Sequence, residues 1–190
     1  MPPLYAHDPF LQIQAALSYR WLDVPMAVAT ISCEGWAIAL IAAAYVYSRE
    51  RRLDRGLRVA VPLVASLLLA GLVAQLLKHA VDVPRPLAVL GPAVHVLLEP
   101  LRGRSFPSGH AASAAALATF AARRYGLRAW PLGLLALVGG LSRIYVGAHW
   151  ALDVVAGWTV GAGSALVAEG AARAFRARLQ RLGGAAPAID

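Results

Sequence analysis

Between Arg58 and Lys78 lie 19 residues without a single charge. A helix needs about 20 apolar residues to cross the hydrocarbon core of a bilayer, so Val59 to Leu77 fits a full crossing. Four further runs read the same way. Asp23 to Tyr47 is long enough to span and is interrupted only by Glu34. A run from about Ser108 to Ala122 is alanine-rich and only modestly apolar, which suits a helix enclosed by others better than one facing lipid. Trp130 to Ile144 and Trp150 to Ala172 complete the set. A chain that is 59% hydrophobic and 15% charged is far more apolar than a soluble domain of its length. The expectation is an all-α integral membrane protein of one domain, with about five transmembrane helices. Leu11, Ile13, Leu17 and Trp21, set among polar neighbours, predict an amphipathic segment over residues 1–21 that lies at the membrane surface. The helical core is then 22–172 and a basic cytoplasmic tail 173–190.

The net charge of +8 is distributed by topology. Arg49, Arg51, Arg52, Arg55 and Arg58 fill the first connection, Arg123, Arg124 and Arg128 the third, and Arg173, Arg176, Arg178 and Arg181 follow the last run. Short basic loops are retained in the cytoplasm, which assigns 12 of the 18 basic residues to that side. The pattern is better explained this way than by nucleic-acid binding, and no nucleic-acid or protein partner is expected. The lone Cys33 lies in an apolar run and offers neither a disulfide framework nor a cysteine metal site. No basic segment followed by an apolar stretch and a cleavage site opens the chain, so no removable signal peptide is expected and the first membrane helix directs targeting.

The six remaining cations are Arg20, Lys78, Arg85, Arg102, Arg104 and Arg143, and five of them fall in the two connections on the opposite, outer side. Those connections hold every other candidate group. Pro84, Pro86 and Pro92 keep the stretch after Lys78 from continuing as a regular helix. Lys78, the only lysine in the chain, reads either as a phosphate ligand or as a lysine snorkelling from a helix end. The guanidiniums of Arg85 and Arg143 suit a tetrahedral oxyanion. Pro107-Ser108-Gly109-His110 opens a helix whose N–H groups and positive dipole end attract a phosphate, with Ser108 equally able to act as an ordinary cap. His110, in the first turn, is placed to donate a proton to a leaving oxygen. His149 and Asp153 share a helix face, so the carboxylate can hold one imidazole nitrogen and leave the other free to attack. Asp82 and Glu99 do not form a repeated metal-ligand spacing, and the arginines already supply the charge a divalent cation would bring; no metal and no cofactor are expected.

Three ordered motifs, K-x6-RP from Lys78 to Pro86, PSGH from Pro107 to His110 and SR-x5-H-x3-D from Ser142 to Asp153, resemble the signature of the type 2 phosphatidic acid phosphatase family. That family also includes vanadium-dependent haloperoxidases. The short layout looks most like the bacterial undecaprenyl diphosphate phosphatases of the bacitracin-resistance type. The resemblance implies that His149 attacks phosphorus, Asp153 supports it and His110 protonates the leaving group. It further implies that Lys78, Arg85, Ser108, Gly109 and Arg143 hold the phosphoryl oxygens, and that turnover needs no metal. A site at the membrane edge meets lipid headgroups, so the expected partners are the bilayer and a lipid phosphate substrate. Undecaprenyl diphosphate is favoured over phosphatidylglycerophosphate, phosphatidic acid and lipid A phosphate, with transfer to a lipid hydroxyl as the other outcome of the same chemistry. The expected location is the bacterial inner membrane, with the site on the periplasmic or extracellular face. Arg102 and Arg104 read either as ligands of a second phosphate or as contacts to anionic headgroups. Glu34, a carboxylate near the middle of a spanning run, is costly without a partner; it reads either as a group facing the cavity beneath the site or as an interhelical hydrogen bond.

Overall fold

The computed structural model describes residues 5–50, 52–98 and 103–183, and all regular elements among them are helical. Helix α1 is Phe10–Ala16, α2 Asp23–Ser32, α3 Gly35–Arg49, α4 Leu53–Ala80, α5 Pro86–Leu90, α6 Gly109–Tyr125, α7 Trp130–Tyr145 and α8 Ala151–Gly183. The protein is an all-α membrane protein. Residues 55–80, 109–145 and 151–182 are each long and apolar enough to cross a bilayer, and residues 20–32 with 35–49 make a fourth such unit if the bent pair is one span. That gives three or four by length and composition, against the five expected. The difference lies in 109–145, a single helical stretch that doubles back. His110 and Arg143 line one cavity, whereas a straight helix rising 1.5 Å per residue would hold them about 50 Å apart. The reversal falls at Gly126–Ala129, where Gly126 takes φ +62°.

Helix α6 sits at the centre, as its composition predicts. Ala111, Ala112, Ala114, Ala116 and Leu117 are all essentially inaccessible, and α4, α7 and α8 pack around them. The α6–α8 seam depends on Gly157 and Gly161. A Cβ at Gly161 would collide with the Ala112 carbonyl oxygen, and one at Gly157 would lie 2.5 Å from that of Ser108. Small residues four apart let two membrane helices approach at backbone distance. The outward faces carry Val61, Leu68, Leu72 and Leu76 of α4 and Val155 and Val167 of α8, all largely exposed, as a lipid-facing surface requires.

The first expected span is broken. Helices α2 and α3 meet at 77°, and Glu34 at the break has extended backbone (φ −66°, ψ 152°) at the N-cap of α3. A carboxylate there lies at the positive end of a helix dipole, which offsets part of the cost that it would carry inside a continuous helix. Cys33 packs into the space left by Gly139 of α7. Helix α4 begins six residues before Val59, taking in much of the basic connection, and α8 continues 11 residues past Ala172, so the expected tail is helical as far as Gly183. The N-terminal segment has two faces: Leu11 and Trp21 are exposed, whereas Phe10 and Gln14 are buried against the rest of the protein.

Candidate active site

Site residues come from both sides of a reversal of the chain. The C-terminus of α7 delivers Ser142 and Arg143, and Gly147 then turns the backbone at φ +76°. No side chain fits at that turn, since a Cβ would lie 2.7 Å from the His95 carbonyl oxygen. His149 follows, two residues before α8. Its Nδ1 lies 3.3 Å from Oδ2 of Asp153, one turn along that helix. Both side chains are almost wholly buried. The same Asp153 oxygen accepts from the Trp150 N–H at 3.0 Å, so it also caps α8. The other imidazole nitrogen, Nε2, lies 3.5 Å from a terminal guanidinium nitrogen of Arg85.

That Arg85 nitrogen also donates to the Ala148 carbonyl at 2.7 Å. Arg143 donates at 3.0 Å to the Thr30 hydroxyl. Thr30 pairs at 2.8 Å with Ser142, which donates on to the Gly139 carbonyl at 2.7 Å. The Nε atoms of both arginines are buried and have no hydrogen-bond partner among the described residues, an arrangement that favours an anion able to accept from them. Arg85, Arg143, His110 and Glu34 line a cavity of about 220 Å³, walled otherwise by Thr30, Leu87, Val96, Leu98 and the Val146–Ala148 backbone. His149 and Asp153 lie behind that wall, with Arg85 between the imidazole and the cavity.

Lys78 donates to the carbonyls of Ser105 (3.1 Å) and Pro107 (2.7 Å), tying the end of α4 to the turn that starts α6. Ser108 caps α6, its Oγ accepting from Ala111 N–H at 3.4 Å while its own N–H donates to the Asp153 carbonyl at 3.0 Å. Gly109 and His110, in the same turn, carry N–H groups with no intrahelical acceptor. The convergence of charge shows in His149, whose pKa is held well below the usual histidine value. Burial is the main cause, followed by the positive charges of Arg143, Arg85 and Lys78. The imidazole is therefore neutral, and a proton on Nδ1 facing Asp153 would leave the lone pair on Nε2. Burial also lowers the pKa of Arg85, against the opposing pull of Asp153.

Eight of the expected residues thus gather at one end of the molecule, and Glu34 joins them on the cavity wall. Arg104 does not. Its Nε pairs with Asp82 at 3.0 Å and a terminal nitrogen caps α4 through the carbonyls of Lys78 and His79, at 3.0 and 2.8 Å. A helix C-terminus with unsatisfied carbonyls competes for this guanidinium and holds it. Arg102 lies outside the described residues.

Sequence reasoning missed the contribution of the N-terminal segment. The buried Tyr5 hydroxyl donates at 2.8 Å to Oδ1 of Asp153, and its ring meets Trp150 edge-on at 5.8 Å. Burial and the neighbouring Asp153 carboxylate raise the phenol's pKa, keeping it a donor. Asp8 accepts from the N–H groups of Ala151 (3.1 Å) and Leu152 (2.9 Å), and from Phe10 N–H at 3.0 Å, capping α8 and α1 together. Gln14 bridges His95 and the end of α7. Asp8 just before Pro9 is a recognisable helix-start pattern, but it signals α1 and not α8. For Tyr5 and Thr30 the sequence carried no signal.

Fold and site together define a class: a helical membrane protein with a cationic chamber at one end and a histidine–aspartate pair buried behind it. The chain belongs to the PAP2 superfamily, whose model matches residues 59–175. It is 32% identical over 126 residues to an undecaprenyl-diphosphatase of Sulfolobus acidocaldarius, a match covering 65% of this chain and 57% of that protein. It is 38% identical over 72 residues to undecaprenyl-diphosphatase BcrC of Bacillus subtilis, covering 38% and 36%. The chain therefore spans little more than half of the first relative's length and about a third of the second's. A decaprenylphosphoryl-5-phosphoribose phosphatase of Mycobacterium tuberculosis is 35% identical over 133 residues, covering 68% and 67%. Among solved structures, Aquifex aeolicus LpxE superposes with a TM-score of 0.72 at 28% identity, covering 84% of this chain and 91% of that one. A PAP2-type phosphatidylglycerolphosphate phosphatase from Bacillus subtilis gives 0.62 at 22%, covering 85% and 83%, a likeness of fold alone.

Proposed function

We propose that the protein is a membrane lipid phosphatase that removes a phosphate from a lipid mono- or diphosphate through a phosphohistidine intermediate. The observation that carries this reading is the pair of contacts on one imidazole: Nδ1 on Asp153 at 3.3 Å and Nε2 at 3.5 Å from Arg85, which itself lines the cationic chamber. The headgroup phosphate accepts from Arg85, Arg143 and Lys78, from the Ser108 hydroxyl, and from the free N–H groups of Gly109 and His110. Arg85 leaves the Ala148 carbonyl to follow the phosphate, which opens the path to Nε2. The bound phosphate's negative charge offsets the surrounding cations and lets His110 take up a proton; as the Nε2–P bond forms, the P–O bond to the lipid breaks and His110 gives that proton to the departing oxygen. Asp153 stabilises the positive charge that develops on the ring. A water molecule then attacks the phosphohistidine, with His110 taking its proton, and inorganic phosphate leaves. Three cations around the phosphate supply the charge stabilisation, and a metal ion placed among them would be repelled.

Undecaprenyl diphosphate is the preferred substrate in this reading, supported by the names of two relatives. A site on the outer face is supported by the arginine distribution, and the membrane assigned in this reading is the inner membrane of a bacterium. The test is phosphate release by detergent-purified protein in EDTA, comparing undecaprenyl diphosphate, phosphatidylglycerophosphate, phosphatidic acid and lipid A, with His149→Ala as the blank. Release that survives EDTA and is lost in the variant is the expected result. Full turnover by His149→Ala overturns the mechanism. Release from another of these lipids in preference keeps the mechanism and overturns the substrate.

A further inference from the structure

The end of the molecule opposite the site carries a groove and a basin that the proposed reaction does not use. The groove runs between α3 and α4, about 400 Å³ in volume, and is lined by Ala39, Ala43, Leu57, Ala60, Val64 and Leu67 among other apolar residues. On α3 it extends from Ala39 to Glu50, which at 1.5 Å per residue is about 16 Å, half the roughly 30 Å hydrocarbon core. It therefore has the depth of one leaflet. At its mouth Glu50 also lines a second cavity, completed by Arg55, Arg58, Arg124, Tyr125 and Arg176. Glu50 accepts from Arg124 at 3.4 Å and from the Tyr125 hydroxyl at 3.3 Å, ordering these groups where groove and basin meet.

We propose that this groove and basin form a binding site for an anionic phospholipid, separate from the candidate active site. One acyl chain lies between α3 and α4, and the phosphodiester sits among the arginines. Among the described residues, four arginines and one glutamate line the basin, and the arginines come from three helices, α4, α6 and α8. Retention of a loop on one side of the membrane requires only that its charges be present; it does not require them to turn from three helices onto one cavity. The basin opens on an apolar channel and not on an aqueous surface alone, so the fitting ligand has both a negative headgroup and a hydrocarbon tail. Free phosphate has the first without the second, and phosphatidylcholine has no net charge to complement the basin.

The test is native mass spectrometry of the full chain in detergent, titrated in parallel with dioleoyl phosphatidylglycerol, dioleoyl phosphatidylcholine and glycerol phosphate. Phosphatidylglycerol is expected to bind about tenfold more tightly than phosphatidylcholine, the size expected from a few arginines beside one anionic headgroup. Glycerol phosphate is expected to show no comparable occupancy. Arg55→Gln with Arg176→Gln should abolish the preference for phosphatidylglycerol, and Ala43→Phe, which fills an exposed part of the groove, should weaken both phospholipids. Circular dichroism melting verifies that each variant is folded. Equal binding of the two phospholipids, or a preference that survives the double arginine substitution, would overturn the proposal. Glycerol phosphate binding as well as phosphatidylglycerol would also overturn it, by making the basin an anion site without a lipid. Because the readout is binding at the far end of the molecule, it is independent of whether His149 catalyses phosphate release.

Discussion

Replacing Tyr5 by Phe removes one hydroxyl and leaves the ring against Trp150. The carboxylate of Asp153 is held at both oxygens. Oδ2 takes the Trp150 N–H and the His149 Nδ1 contact, and Oδ1 takes the Tyr5 hydroxyl at 2.8 Å. Without that donor the fully buried carboxylate loses its shortest hydrogen bond, and Asp153 is held less firmly against the imidazole it must orient. A hydrogen bond to a charged group contributes about 1.5–3 kcal/mol. If that whole loss falls on the transition state, where the imidazole becomes cationic, the rate drops roughly 10- to 150-fold at 1.36 kcal/mol per decade. The phosphate ligands are untouched, so KM should change little. The assay is steady-state phosphate release across substrate concentration, with thermal melting alongside. The expected result is a kcat lower by that factor at nearly constant KM. Tyr5→Phe with wild-type kcat and wild-type Tm would refute the reasoning. A lower Tm with unchanged kcat would make Tyr5 a structural residue only.

Arg143→Lys keeps a charge but loses the planar fork and the bond to Thr30, so turnover should fall at least about tenfold, with little recovery at higher substrate concentration; equal rates would show that charge alone suffices. His149 stays neutral in the folded protein while the unfolded chain protonates it below about pH 6.5. Stability carried by this group is therefore intact above that pH and is lost on acidification, by up to about 1.4 kcal/mol per pH unit. His149→Gln should accordingly show a shallower fall of Tm between pH 6.5 and 5 than the wild type, and parallel curves would contradict the buried, neutral assignment. Glu34→Gln keeps the Trp36 contact, made at 2.7 Å, but removes a negative charge from the cavity wall; it should alter kcat/KM while leaving Tm within about a degree, and no change in either would leave Glu34 without a role in the site. Gly161→Val forces a side chain onto the Ala112 carbonyl and should destabilise the protein by about 1–3 kcal/mol, read as a lowered denaturation midpoint.

What the sequence revealed of this molecule divides along a physical line. Lys78, Arg85, Ser108, His110, Arg143, His149 and Asp153 could be read because each sits at a helix end with a spacing that chemistry constrains, and because cations and histidines are rare between apolar runs. The basic clusters were legible for the same reason, since bilayer insertion sorts charge by linear position. Hidden were the contacts that depend on how helices return to one another. Tyr5 and Asp153 are 148 residues apart, and nothing local to Tyr5 distinguishes a buried donor from an interfacial aromatic, because both are amphipathic side chains near an apolar segment. Thr30 is equally silent, a small hydroxyl in a spanning run until Arg143 is found beside it. The break at Glu34 was half visible. Its charge marked the position as unsuited to a continuous span, and the sequence Glu-Gly that follows Cys33 permits a new helix start, but the packing of α2 on α7 beside the bend, with Cys33 against Gly139, was not visible. Arg104 shows the reverse case. Its charge and its connection suggested a ligand of a second phosphate or a headgroup contact, and the structure adds partners that its position in the sequence did not reveal, Asp82 and the open carbonyls at the end of α4. A motif therefore identifies which groups the chemistry requires, whereas the groups that hold them in register are chosen by three-dimensional proximity, and in this protein most of those come from the first 30 residues.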